Sequence, residues 1–325
     1  MILNGVLMAT FYWPNIFVRM IQTLPEWGAR GAIYMFAHSA SWILYRRCRI
    51  MKENLRAALG ENLSIERERE IIRRSWHNLF SVGMGILRFP RFGEKYLSRF
   101  QFHNLKTLDR SLQKGKGVFL LAPHMGDFFL GAAYLAQRYP VTVIIRMSKK
   151  PFFRQTVQPL MNAMGFKTIE RVGGLRRVMY ALRQNEIVIM AMDQHAGAHG
   201  TLVNFFGQPA STFKSPAMLA LRNSLPVHVA HSHRHRNGHN EAWISEPLEL
   251  IRTGETERDI DLNTARFSNA IEETIRLHPE TWMWMHRRWK VSGSDLRSES
   301  SLNQHNPSGS SQVFSSPLDN PVVKK

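Results

Sequence analysis

Between Gly117 and Ala230 the chain repeats one pattern, a short run of apolar residues followed by a segment with helical spacing. The apolar runs are 118–122, 141–145, 187–191 and 227–230, and the helical segments are 128–137, 152–164, 175–183 and 216–223. Such runs are too short to bury a helix face and do not alternate with polar residues, so they read as strands covered on both sides. Strand and helix in alternation predict an α/β fold with a mostly parallel sheet flanked by helices. In sheets of this kind, chemistry gathers in the loops at the strands' C-terminal ends. His124 and Asp193 stand at two such ends.

The rest of the chain frames this unit. With 325 residues, 44% of them hydrophobic, it can bury one large core and carry appendages. Helical spacing covers 52–87, where Ser64 with Arg67 and Glu68 marks a helix start, and Ile71, Ile72, Trp76, Leu79 and Phe80 recur at three- and four-residue steps. A last helix is predicted over about 262–277. Beyond Val291 the chain is rich in Ser, Asn, Pro and Gly with little to bury. The expected division is a hydrophobic membrane-associating segment over 1–45, the α/β domain over 46–291 and a disordered tail over 292–325.

The first 45 residues hold two apolar stretches, 5–18 and 31–45, each shorter than the ~20 residues of a spanning helix. No basic residue precedes the first, a poor match to a cleaved signal peptide. Tyr12, Trp13, Trp27, Tyr34, Trp42 and Tyr45 are amphipathic aromatics suited to a bilayer interface, and Arg46, Arg47, Arg49 and Lys52 follow directly. They predict hydrophobic helices lying in a membrane surface; buried core helices, or one span extended across Arg19, are the alternatives. Lys and Arg number 43 against 25 Asp and Glu, a formal net charge of +18. The field of such a body draws anions: nucleic acid, acidic phospholipid, a phosphorylated substrate or an acidic protein. The single cysteine, Cys48, cannot form an internal disulfide and reads as a core residue rather than a redox group.

Pro123-His124-Met125-Gly126-Asp127 is the sharpest candidate for chemistry. Pro and Gly bracket a strand exit, and a neutral imidazole held there can take a hydroxyl proton near neutral pH. A carboxylate on its other ring nitrogen would fix the tautomer. Asp127 is placed for that role, or equally to N-cap the following helix. Two further segments stand out, the polar loop 191–212 after a strand and the aromatic, basic stretch 279–290.

In these segments the chain resembles the bacterial lipid A biosynthesis acyltransferases, the lauroyl and myristoyl transferases and their relatives in the lysophospholipid-acyltransferase-like superfamily. The resemblance spans roughly 45–291. It rests on His124-Met125-Gly126, on Asp193-Gln194 with Gly200 and Phe205-Phe206-Gly207, on Pro209-Ala210 and Thr212, and on Pro279, Trp282, Trp284, His286-Arg287-Arg288 and Lys290. It implies a glycerolipid-acyltransferase-like fold and transfer of a fatty acyl group from acyl carrier protein to a hydroxyl of a membrane lipid, a lipid A precursor or related glycolipid. It also implies the cytoplasmic face of the inner membrane, no cofactor or metal, and no nucleic-acid partner. The family pattern carries an acid after four intervening residues beyond the histidine, and Phe129 stands there instead.

That departure leaves three arrangements open: Asp127 orients His124, another group such as Asp193 or water does so, or the protein binds lipid or carrier without catalysing. Arg146, Arg176 and Arg177, with Arg287 and Arg288, are candidates for phosphate contacts, since guanidinium forks grip phosphate oxygens in pairs. Asp193 and Gln194 join them as substrate-binding candidates. His228, His231, His233, His235 and His239 invite a zinc site, yet without a cysteine and with Arg234 and Arg236 interleaved they read as a basic sheet edge or hairpin.

Overall fold

The four apolar runs form the centre of a seven-stranded sheet. The structure is a computed structural model and describes residues 16–290 apart from 61–62 and 236. In chain order its elements are the described helical residues 16–23 (α1), α2 (Glu26–Ile43), α3 (Tyr45–Leu59), α4 (Ile65–Leu97), β1 (Phe100–His103), α5 (Leu105–Leu112), β2 (Val118–Leu121), α6 (Phe128–Ala136) and β3 (Val141–Ile145). A π-helical turn then leads into α7 (Gln158–Asn162), β4 (Lys167–Glu170), α8 (Leu175–Arg183), β5 (Ile187–Met190), β6 (Thr201–Phe205), β7 (Gln208–Thr212), α9 (Ser215–Asn223), β8 (Val227–Arg234), β9 (Asn240–Ile244) and α10 (Thr256–Leu277). The tail 292–325 and most of the apolar stretch 5–18 lie outside the described residues.

β8, β2, β5, β3 and β4 run parallel, whereas β9 pairs antiparallel with β8 and carries β1 beside it. Alternation along each central strand divides the core between the two faces. Phe119 and Leu121 of β2 and Val188 and Met190 of β5 face one cluster, with α8, α9, α10 and the first half of α4. Val118, Leu120, Ile187 and Ile189 face the other, with α5, α6 and the second half of α4. Each fully buried aliphatic side chain contributes about 1.5–3 kcal/mol, so a run buried on both sides holds its place as a strand without help from polar alternation.

The long helix α4 begins as its sequence predicts: the Ser64 hydroxyl accepts from the Arg67 N–H at 3.2 Å. It continues past the expected end, through Pro90 to Leu97, and ties α2 to the sheet. α2 buries Ala29, Ile33, Ala37 and Ala40 and leaves Trp27, Tyr34, Met35, Phe36, Trp42 and Ile43 exposed. No described helix is long and apolar enough to cross a membrane.

The histidines of β8 divide by face. His228 is a buried core group, hydrogen bonded to the Ser111 hydroxyl at 2.9 Å and the Ser245 carbonyl at 2.8 Å. His231 stacks on Trp243, and His233 on His278 with ring centroids 4.2 Å apart. These residues line the β8–β9 hairpin, which the antiparallel pairing of Arg234 with Asn240 closes.

The segment 278–289 is a strap drawn across the C-terminal edge of the sheet. Gly126 N–H donates to the Thr281 carbonyl, Met283 N–H to the His124 carbonyl, and Met125 pairs with Trp282 as an isolated bridge. From the helices, Ser75 Oγ donates to the Trp282 carbonyl at 2.6 Å and Asn54 Nδ2 to the carbonyls of Trp284 and His286 at 2.7 Å. Asn78 Nδ2 donates to both Gly126 and Thr281 carbonyls at 3.0 Å. Because those two carbonyls are buried with their donor, Asn78→Ala is expected to destabilise the protein by roughly 1–3 kcal/mol, read as a lower urea midpoint with an unchanged slope.

Candidate active site

His124 leaves β2 at the C-terminal edge of the sheet, and its turn admits only glycine two residues on. Gly126 has φ +59°, and a Cβ there would lie 2.1 Å from the Ser232 carbonyl oxygen of β8. The turn therefore nests against the neighbouring strand and aims the imidazole along the edge. The side chain keeps 23% exposure while Asp193, leaving adjacent β5, is 2% exposed.

These two residues form the centre of the site. The His124 Nδ1–H donates to Asp193 Oδ1 at 2.9 Å, and the His124 backbone N–H donates to Oδ2 at 3.0 Å. Trp282 Nε1–H of the strap donates to the same Oδ2 at 2.8 Å. With Asp193 ionised the proton of the neutral ring belongs on Nδ1, which leaves the Nε2 lone pair free. Burial opposes charge on both groups. Against it, the positive imidazole and the three donors hold the Asp193 carboxyl well below the usual range, and the Asp193 charge and hydrogen bond raise His124 above the ordinary histidine value. Gln194 Nε2 lies 3.5 Å from both ring nitrogens of His124, a side-chain amide poised over the ring.

Asp127, expected as the orienting acid, is engaged elsewhere. One oxygen accepts from the Leu130 N–H at 3.3 Å and caps α6, and the other is ion paired with Arg234. Burial raises its pKa against the pull of Arg234 and Leu130. Its place in the first turn of α6 turns the carboxylate toward β8 and α4, away from the Asp193 side of the ring. Phe129 sits in the aromatic packing of α6, with its ring 4.5 Å from Phe128 and 6.3 Å from Phe166. Phe128 in turn meets the His124 ring edge-on at 5.3 Å.

Arg288, expected to bind substrate, is fully buried. It donates to the carbonyls of Ser211 and Gln194 and to Thr212 Oγ1, and its guanidinium lies 4.7 Å from the Phe205 ring centre. It pins the loop that carries Asp193 and Gln194. The β6–β7 hairpin of that loop turns through Phe206 and Gly207, at φ 57° and 76°, a two-residue turn with left-handed residues at both positions. Phe206 tolerates that conformation because its N–H donates to Glu272 and its ring packs with Phe205, Trp284 and Trp289.

Arg146, Arg176, Arg177 and Arg287 are exposed. Arg146 follows β3 beside Arg171, the residue after β4, which stacks on Phe213 at 4.6 Å. Burial and the charge of Arg146 lower the Arg171 pKa. Arg171 was not singled out in the sequence, and His286 was named only as part of the closing motif; its pKa falls to about 4 through burial, partly offset by Asp193 and reinforced by His124, Arg288 and His195. Both sit beside motifs that were legible, but only the packing of strap on loop brings them to the edge. Among the described residues one trio, His233, His278 and Glu280, places metal-ligand atoms within 4.8 Å of one another. The Glu280 oxygens are already shared between Arg67 and Arg74 at 3.3 and 3.4 Å, so the donor set fits a charge network better than a cation.

The chain is similar over most of its length to known proteins. The profile of the family described as bacterial lipid A biosynthesis acyltransferase matches residues 6–291. The phosphatidylinositol mannoside acyltransferase of Mycobacterium tuberculosis is 24% identical over 294 residues, 85% of this chain and 87% of its own. The lipid A biosynthesis lauroyltransferase of Escherichia coli is 23% identical over 252 residues, 76% of this chain and 80% of its own. A solved structure, the 1-acyl-sn-glycerophosphate acyltransferase of Thermotoga maritima, matches at TM-score 0.33 and 14% identity, covering 75% of this chain and 95% of that one.

The pair has a direct titration signature. In the wild-type protein the His124 imidazole is expected to titrate above 6.5, and in Asp193→Asn below it, because burial then acts without the compensating charge. Imidazole NMR signals followed against pH read both values, and an unchanged midpoint would refute the assignment of Asp193 as the ring's partner.

Proposed function

The chain belongs to the bacterial lipid A biosynthesis acyltransferase family, and on that premise we propose that it transfers a fatty acyl group from acyl carrier protein to a hydroxyl of a membrane glycolipid, with His124 as the base. The observation that carries this reading is the buried Asp193 carboxylate on His124 Nδ1, which leaves Nε2 as proton acceptor at a partly exposed sheet edge. His124 Nε2 takes the proton of the acceptor hydroxyl as its oxygen attacks the thioester carbonyl. The tetrahedral intermediate collapses with cleavage of the C–S bond, and the departing thiolate recovers the proton from the imidazolium. Asp193 stabilises that imidazolium without itself taking the proton. The Gln194 amide, 3.5 Å from both ring nitrogens, is a side-chain donor for developing negative charge. No acyl-enzyme is invoked, since neither a Gly-x-Ser-x-Gly elbow nor an activated thiol is present in the sequence and Cys48 is buried.

The surroundings suit both substrates. Beside His124 a narrow apolar cavity is lined by Leu120, Met125, Phe128, Gly131, Leu135 and Ile189 among others. Its volume of about 30 Å³ is that of a single water, so an acyl chain enters only by spreading these side chains apart. Arg146, Arg171, Arg176 and Arg177, at the β3, β4 and α8 side of the edge, offer positive charge to an acidic carrier protein. The exposed aromatics of α2 and the exposed Arg46, Arg47, Arg49 and Lys52 of α3 support peripheral docking to an anionic bilayer, on the cytoplasmic face of the inner membrane. The relatives act on lipid A and on phosphatidylinositol mannoside, so a glycosylated, phosphorylated lipid is the acceptor class they share. Binding without catalysis was motivated by Phe129, and a carboxylate supplied by Asp193 takes away that motive.

Purified protein incubated with acyl carrier protein thioesters and a bacterial lipid extract tests the reading. Transfer is expected to vanish in His124→Ala, and equal rates for variant and wild type would defeat it. Asp193→Asn is expected to lower kcat by roughly 10³–10⁴-fold, the loss that follows when a histidine's orienting acid is removed. Restoring an acid in Phe129→Asp is expected to leave kcat no higher and to destabilise the fold, since the carboxylate would be set among Phe128 and Phe166 with the imidazole already partnered.

A further inference from the structure

On the β8 side of the same edge lies a cavity of about 650 Å³ between α2, α4 and the β8–β9 hairpin. Four guanidinium groups line it, Arg30, Arg73, Arg74 and Arg234, against one carboxylate, Glu280. Glu280 is shared between Arg67 and Arg74, while Arg30 and Arg234 are paired behind the wall with Glu26 and Asp127. Arg73 is exposed and has no carboxylate within ion-pair distance among the described residues. The excess charge is felt inside: burial, then Arg234, Arg73 and Arg74, lower the pKa of His77 on the same wall. A concave site with unbalanced guanidinium groups is built for a multivalent oxyanion.

The rim indicates where that anion comes from. Gly31, Ile33 and Tyr34 of α2 form one side of the cavity, and Tyr34, 61% exposed, lies two turns along the same side of the helix from exposed Trp27 and next to exposed Met35. Charge below and aromatics at the lip match the boundary between lipid head groups and acyl chains. The opposite wall leads to the base. Asn78 and Thr281 line the cavity and also hold Gly126, two residues from His124, through its carbonyl and its N–H.

We propose that this cavity holds the phosphate group of a membrane lipid, fixing the acceptor so that its hydroxyl reaches His124. The inference deepens the acyltransferase reading and rests on it for the word acceptor, but the binding event can be measured without turnover. Arg73 is the principal free cation, with Arg74 and Arg234 as second and third donors. Phosphate contacts from α4 and β8 would orient the lipid across the strap rather than along the Arg146 side of the edge, which stays open to the carrier protein.

Calorimetry on the full chain with dihexanoyl phosphatidic acid below its micelle concentration, dihexanoyl phosphatidylcholine and inorganic phosphate tests this. Phosphatidic acid is expected to bind at least ~10-fold more tightly than phosphatidylcholine, whose ammonium group the guanidiniums repel. Arg73→Glu is expected to weaken phosphatidic acid by ~10-fold or more and the milder Arg73→Gln by a few-fold, with the thermal midpoint kept. Arg183→Gln, on the far end of α8, should bind as wild type. Saturation should also move the His77 imidazole titration upward, its surroundings being Arg73, Arg74, Arg234 and the Ser81 hydroxyl at 3.5 Å. Unchanged affinity in Arg73→Glu would overturn the site, and inorganic phosphate binding as tightly as the lipid would overturn the lipid as its occupant. Acyl transfer absent from the wild type while this binding persists would count against the function and not against the cavity.

Discussion

One buried carboxylate organises the whole edge of the sheet. Asp193 is drawn out of water at the end of β5, and an isolated ionised carboxylate in such a place would be expelled or neutralised. It stays charged because donors from three parts of the chain converge on it: the His124 backbone, the His124 ring and the Trp282 indole. The carboxylate thus clamps the exit of β2, the exit of β5 and the closing strap together. Removing a partner from a buried pair of this kind costs about 3–5 kcal/mol, so stability and the tautomer of the candidate base depend on the same contacts.

The clamp works only because its other members are fixed in turn. Arg288 from the strap threads back to the loop that follows Asp193 and satisfies carbonyls of Gln194 and Ser211. Asn54, Ser75 and Asn78 on α3 and α4 take up carbonyls of the strap and of Gly126. These are polar residues in positions that helical spacing assigns to the core, and each is explained by a backbone acceptor that would otherwise be buried without a donor. The long α4 therefore does two jobs, filling both apolar clusters and holding the sheet edge that carries His124 and Asp193 in register.

Much of this was legible in the sequence where the signal was local. The runs 118–122, 141–145 and 187–191 appear as β2, β3 and β5 within a residue, and Ser64 caps α4, because continuous apolar runs and capping residues act over a few positions. β1, β4, β6, β7 and β9 were not read. Phe100–His103 and Lys167–Glu170 are short and mixed in polarity, and their strand form is fixed by the partners β9 and β3 rather than by their own composition. The partner of His124 failed for a related reason. Asp127 is three residues from the histidine and Asp193 is sixty-nine, yet β2 and β5 pair directly, with Leu121 opposite Met190. Sequence proximity favoured the acid that the turn sends the other way. Arg288 was likewise assigned by charge to substrate, when its surroundings make it a buried tie.

The same topology accounts for how Phe129 can stand where the family pattern has an acid. Asp193, at the end of β5, bonds the His124 Nδ1 and leaves Nε2 free, so the ring has its carboxylate without one at position 129. Once Asp193 holds Nδ1, an acid at 129 would have no donor to meet, and the position is released to packing against Phe128 and Phe166. Asp127 is released as well, and its carboxylate serves Arg234 and the α6 N-terminus. That ion pair fixes Arg234 in the wall of the arginine-lined cavity, three residues along from His124 through Asp127. With the ring's carboxylate supplied from β5, the acid of the α6 turn is left to the Arg234 side of the edge.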